Sequence, residues 1–131
     1  YGFKEEINRL FKGIIDAAGY NDLRRLPELF CGFRRRRDQG PTGYPVACSP
    51  QAWASGTIFA LIAASCGVKI RATDDILEFD RPSLPAALRD LSISRLRLGS
   101  ACVSLNITRV GEDVTVAVRD RSDNAHILIQ K

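Results

Sequence analysis

Residues 26–53 read LPELFCGFRRRRDQGPTGYPVACSPQAW, and the fold assigned to the whole chain depends on how this stretch is taken. Pro27 ends a short turn that Asn21 or Asp22 can cap, so Glu28 sits at its exit on non-helical backbone. From Cys31 to Ser49, glycines, prolines and four consecutive arginines leave no helical or strand period. A segment of that length without periodicity is usually functional or disordered. Ser49 and Pro50 then predict a helix start, a hydroxyl cap followed by a proline whose missing donor costs nothing in the first turn. Gln51 and Trp53 fall in that first turn, beside the loop. An acid with aromatic rings close by is what a sugar site needs.

Working outward, the helix from Pro50 carries Ala52, Trp53, Ala54 and the run from Ile58 to Ala64, with no wide polar face, and Gly67 closes it. Such a helix should be buried nearly all round. Upstream, Phe3, Ile7, Leu10, Phe11, Ile14, Ile15 and Ala18 recur on one helical face, and Gly19 supplies a left-handed stop. One amphipathic helix cannot surround an alanine-rich one. That shortfall, and a helix that opens within two residues of Tyr1, suggest a segment of a longer protein.

After Gly67 the period falls to two. Residues 69–72 and 76–79 can pair across Thr73, Asp74 and Asp75, and Ser83 can cap a short helix over 85–91. Residues 93–98, 101–108 and 114–119 alternate apolar with polar positions and 125–130 reads as the last strand, with turns at Gly99-Ser100, at Gly111 to Asp113 and at 121–124. An antiparallel meander with one apolar face is expected.

The 131 residues suit one ordinary domain or two small ones, and 45% hydrophobic with 26% charged residues is a globular composition. The net charge of +4 is mild, but six basic residues cluster at Arg24, Arg25 and Arg34 to Arg37. Arg34 to Arg37 suit phosphate backbones, yet only Phe33 stands near them as an aromatic, so a solvated or acid-paired loop is the preferred account and nucleic acid is not the expected partner. Cys31, Cys48, Cys66 and Cys102 lack metal or redox spacing and read as free thiols in a reducing, cytoplasmic compartment, with a Cys31–Cys48 disulfide as the alternative. The apolar run from Ala52 to Val68 is shorter than the ~20 residues of a bilayer span. No nucleotide, zinc or nucleophile-elbow motif occurs, and no cofactor or metal is called for. His126, in the last strand, has no acid or cysteine at a meaningful spacing.

The segments 26–32 and 44–54, together with Pro82, Leu84-Pro85 and Leu96-Arg97-Leu98-Gly99, resemble the C-terminal end of bacterial glycogen debranching enzymes, the amylo-α-1,6-glucosidase family. The resemblance implies an α+β chain: residues 1–67 as the last helices of an (α/α)6 toroid, and residues 68–131 as a small antiparallel β appendage. It implies an inverting glycoside hydrolase, in which one carboxylic acid protonates the leaving oxygen and a second carboxylate about 6.5–9.5 Å away activates water. By its place in Pro27-Glu28-Leu29, Glu28 would be that general base. Trp53 would stack on a sugar face, Gln51 would bond hydroxyls and Tyr44 would form a pocket wall.

Simpler roles compete at each position. Glu28 can be a solvated partner of Arg24 or Arg25, Trp53 a core residue and Gln51 a helix-end group. No second carboxylate in the chain is placed opposite Glu28, so the segment alone should not hydrolyse the expected α-glucan. A severed toroid edge would expose apolar area and favour self-association. The competing function is a non-catalytic module whose basic loop and β-sheet bind a polyanion or a protein partner.

Overall fold

The computed structural model describes residues 3–131. Among them are two α-helices, α1 (Lys4–Ala18) and α2 (Ala52–Cys66), and six strands: β1 (Val68–Arg71), β2 (Ile76–Asp80), β3 (Asp90–Leu98), β4 (Ala101–Val110), β5 (Asp113–Arg121) and β6 (His126–Gln130). The strands form two three-stranded sheets, ordered β1-β2-β6 and β3-β4-β5. The described residues divide into two compact units, residues 5–61 and residues 62–131 with residues 3–4.

In the β unit, strict alternation supplies the core. Leu77 and Phe79 from β2 join Leu98, Ala101, Val103, Leu105 and Ile107 from β3 and β4, all essentially inaccessible to water. The inner faces of both sheets therefore share one apolar cluster, to which Ile127 of β6 also contributes. Leu84 and Pro85 plug it from the connection before β3. That connection is held because the Arg109 guanidinium donates to the carbonyls of Leu84 and Pro85. No helix forms over 85–91: a single turn, with Leu88 N–H on Pro85 O at 2.8 Å, leads straight into β3. Ser83, expected as a cap, instead exchanges hydrogen bonds with buried Ser65, whose carbonyl also accepts from Lys4 Nζ at 2.7 Å.

Three turns are tied by one carboxylate. Asp75, left-handed at φ 53° between β1 and β2, accepts from the Ser100 amide and hydroxyl, the Ala101 amide and the Asn124 side chain, all within 3.1 Å. Gly99, at φ 60°, lies so close to Ala72 O that a Cβ there would stand 2.1 Å from it. The Asp74-Asp75 pair is thus a structural turn.

The expected toroid edge followed by a small antiparallel sheet is not what forms. Two fifteen-residue helices are the whole α-helical content of the described residues, and strands outnumber them. The toroid was what the family resemblance implied, and the enclosure expected of α2 fails with it: only Ala54, Ser65 and Cys66 of its residues are buried. Nor are the strands one meander. β3-β4-β5 is antiparallel throughout, but β6 runs parallel to β2, with Leu77 opposite Ile127 and Phe79 opposite Ile129. Parallel neighbours need a long crossover, and β3 to β5 provide it, a pairing that local alternation does not encode. The β1–β2 hairpin does form as the spacing predicts.

Candidate functional site

In the helical unit, the amphipathic face of α1 and the start of α2 enclose a small cluster: Ala17, Ala18, Leu26 and Ala54, with Ile14, Phe30 and Ile58 against it. Small side chains fill it incompletely. A groove of about 460 Å³ remains, walled by Gly13, Ile14 and Ala17 of α1, Leu26 to Glu28 and Phe30 of the loop, and Trp53, Ala54 and Thr57 of α2. Gly13 and Ala17 are four residues apart and so share a helix face, and a Cβ at Gly13 would meet nothing within 4 Å. Glu28 is the one carboxylate among these lining residues.

Glu28 is half-buried and fixed at both ends. Its N–H donates to Cys48 O at 2.8 Å and its Oε2 accepts from Cys48 N–H at 3.3 Å. Nearby, Phe30 bridges Gly43, and Cys31 N–H bonds Thr42 O. The loop that shows no period in sequence is therefore a ribbon laid back on itself. No ion pair joins Glu28 to Arg24 or Arg25 among the described residues, so the simple pairing role is not the one adopted.

Trp53 is 66% exposed at the groove mouth, which removes core packing as its role. Large aromatics left exposed beside a concave, mostly apolar surface with one polar group are the usual furniture of ligand sites. Gln51 is turned elsewhere. Its Oε1 accepts from Ala52 N–H at 3.0 Å and its own N–H bonds Leu26 O, so it caps α2 and ties the loop to the helix start. The cap expected from Ser49 is absent, and the Ser49–Pro50 peptide is cis. Tyr44 is exposed and its carbonyl accepts from Ala47 N–H in a turn; like Gln51, it does not line the groove.

Glu28 and Trp53 are thus brought together, while Tyr44 and Gln51 are not. Walls from Gly13, Ile14, Ala17 and Thr57 escape a reading that looks for chemistry-bearing residues. A glycine inside an otherwise good helix was the available signal, because such a glycine usually has a packing or functional reason.

The arginine run folds back on α1. Arg35 lies 5.5 Å over the Tyr20 ring, its Nε–H donates to Gln39 O at 3.4 Å, and its guanidinium comes within 3.8 Å of Asp16. Gly40 allows this closeness, since a Cβ there would stand 2.7 Å from the Tyr20 side chain. Lys12, whose hydrogen bond is the leading cause, and Arg35 hold the Asp16 carboxyl below the ordinary carboxylate range. Arg34 and Arg36 make no ion pair among the described residues.

All four cysteines are free. Burial pushes the Cys66 thiol up to about 11, so it is an inert core group. No cluster of three or more His, Cys, Asp or Glu side chains among the described residues is placed to hold a metal, and no helix there is long and apolar enough to cross a membrane. Compared with protein families, curated proteins and solved structures, the chain finds no match.

Proposed function

We propose that this chain supplies the general-base half of a glycoside-hydrolysing site of the amylo-α-1,6-glucosidase type, acting on an α-glucan or a related oligosaccharide. The observation that carries the reading is the pairing of Glu28 and Trp53 in one groove. A sugar ring stacked on the indole would present its anomeric carbon towards the carboxylate, which would take a proton from a water held between them. The two bonds to Cys48 fix the Glu28 backbone through its N–H and its carboxylate through Oε2, as a group working at one defined distance requires. Inverting chemistry needs a general acid on the opposite face. Since Glu28 is the sole carboxylate lining the groove, this chain by itself binds glucan without cleaving it. The four free cysteines fit a cytoplasmic setting for this activity.

Equilibrium titration with a branched α-glucan oligosaccharide tests the proposal. The wild type should bind, Trp53→Ala should weaken binding by about tenfold or more, given the worth of a lost aromatic contact, and Glu28→Gln should bind with little change. In a protein that also carries the acid, Glu28→Gln should reduce hydrolysis by about a hundredfold or more. Absence of binding by the wild type, with salt-sensitive polyphosphate binding that is lost when Arg34 and Arg36 are replaced, would favour the polyanion-binding module instead.

A further inference from the structure

We propose that strand β6 is an open pairing edge for a second copy of this chain, the two copies joining antiparallel about Leu128. The proposal is independent of the glycoside reading and begins with a comparison of edges. The two sheets have four edge strands, β1, β6, β3 and β5. Exposed edges invite pairing, and natural proteins blunt them with charges, bulges or shortness.

Three of the four are blunted. β1 is four residues long and carries Lys69 and Arg71. β3 is bulged between Ile93 and Leu96, where Arg95 is left-handed and its N–H is taken by Ser104 Oγ at 3.0 Å. β5 is bulged opposite the same part of β4, between Ser104 and Leu105, and carries Arg119, Asp120 and Arg121 there. β6, one residue longer than β1, has neither charge nor bulge. His-Ile-Leu-Ile-Gln pairs with β2 over five residues without a shift, and contains no proline, glycine, lysine, arginine or acid. Short neutral segments of high β-propensity are the ones that recruit further strands.

The free hydrogen-bonding groups can be named. His126 N–H donates to Asp75 O at 3.0 Å and Arg81 N–H to Gln130 O at 2.8 Å, in register with Ile76 opposite His126 and Asp80 opposite Gln130. In a parallel ladder every second residue turns both its N–H and its C=O to the same neighbour. Residues 126, 128 and 130 therefore face β2, and Ile127 and Ile129 present their N–H and C=O to the open side.

A two-fold axis at Leu128 places Ile127 of one copy opposite Ile129 of the other. Those are the residues with free groups, so each pair exchanges two N–H···O bonds and the two pairs make four. Leu128 falls opposite Leu128 in the closer, non-hydrogen-bonded position, where side chains meet best. The 42% exposure of Leu128 and 44% of Ile129 are covered by this contact. Ile127 and Ile129 lie on the face of Leu77 and Phe79, so the apolar layer continues across the junction. His126 meets Gln130 of the second copy, so no like charges oppose each other within the register. The three-stranded sheets of two copies become one six-stranded sheet. The self-association expected from the apolar helices thus has a defined locus elsewhere, on the β unit.

Sedimentation velocity and amide hydrogen exchange on the whole chain test this together. Dimerisation with rising concentration is expected, and with it at least about tenfold slower exchange at the Ile127 and Ile129 amides, while the Leu128 amide stays slow throughout. Ile129→Lys or Ile129→Pro removes the dimer; proline is tolerated there because its lost N–H faces outward from the ladder. Phe59→Ser, on the exposed face of α2, leaves the dimer intact. A chain monomeric at all concentrations overturns the proposal. So does a dimer that survives both Ile129 variants, or one whose Ile127 and Ile129 amides exchange equally fast at low and high concentration; the wild-type exchange data decide the matter even if a variant misfolds.

Discussion

The two units of this chain are built to different standards of closure. In the β unit, Phe79, Leu77, Leu105 and Ile107 are wholly withdrawn from water. In the helical unit, the buried set is mainly alanines with Phe11 and Leu26, while Trp53 and Phe59 (74% exposed) stand in solvent. Period-two alternation commits half of each strand to an inner face, so a sheet pair closes on itself. An evenly apolar helix has no outer face to give to water, and α2 remains partly uncovered. The candidate site lies in the unit whose apolar surface is not fully used by its own chain, as a ligand-holding region requires.

With that contrast, mutations should sort by unit. The largest effect is expected in the β core: Leu105→Ala should cost about 3 kcal/mol in chemical denaturation, because a void among inaccessible side chains cannot collapse. Gly67→Ala should come next. Gly67 has φ 63° and a Cβ there would stand 2.0 Å from Asp80 O, so a thermal midpoint lowered by several degrees is expected, by about the 1–3 kcal/mol of a strained residue.

A smaller effect belongs to the turn-tying carboxylate and depends on pH. The Ser100 hydroxyl above all, with the Ala101 and Ser100 amides and Asn124, holds the Asp75 carboxyl below its ordinary range. A carboxylate depressed in the folded state adds stability above its unfolded pKa of about 3.9 and loses it as pH falls through the lower folded value. Asp75→Asn, which tolerates the left-handed backbone, should therefore lower stability at neutral pH and flatten the acid limb of the stability curve. An unchanged acid limb would remove Asp75 from the account. The smallest effect should be that of Trp53→Ala on stability, within about 0.5 kcal/mol, since the indole is mostly in solvent. A loss as large as that at Leu105 would mean that Trp53 is a packing residue and would erase the contrast.

Much of this was readable in the residues, and the failures have physical causes. The span of α1, the β1–β2 hairpin and the strands up to β5 follow from local period, and Gly67 is the left-handed helix stop it promised to be. Gly19 is not left-handed, because α1 ends instead with Gly19 N–H bonded back to Ile15 O. β6 was legible as a strand but not as a parallel partner of β2, since the crossover through β3, β4 and β5 is non-local. The toroid came from short motif resemblances, which do not fix the helix count, and the burial expected of α2 fails because an evenly apolar helix is enclosed only where neighbours exist to cover it. At the site, Glu28 and Trp53 were legible as acid and aromatic beside one loop. Gln51 was misleading because the same amide that bonds sugar hydroxyls also caps a helix, and the backbone at Ala52 claims it.

Trp53 is the single tryptophan of the chain, so its fluorescence reports on the groove without any label. Titrating the chain with a branched α-glucan oligosaccharide while following emission wavelength and iodide quenching tests the glucan-site claim most directly. A blue shift with protection from iodide that saturates with the oligosaccharide, and persists in Glu28→Gln, is the predicted result. An emission spectrum and quenching constant indifferent to the glucan at saturating concentrations would contradict it.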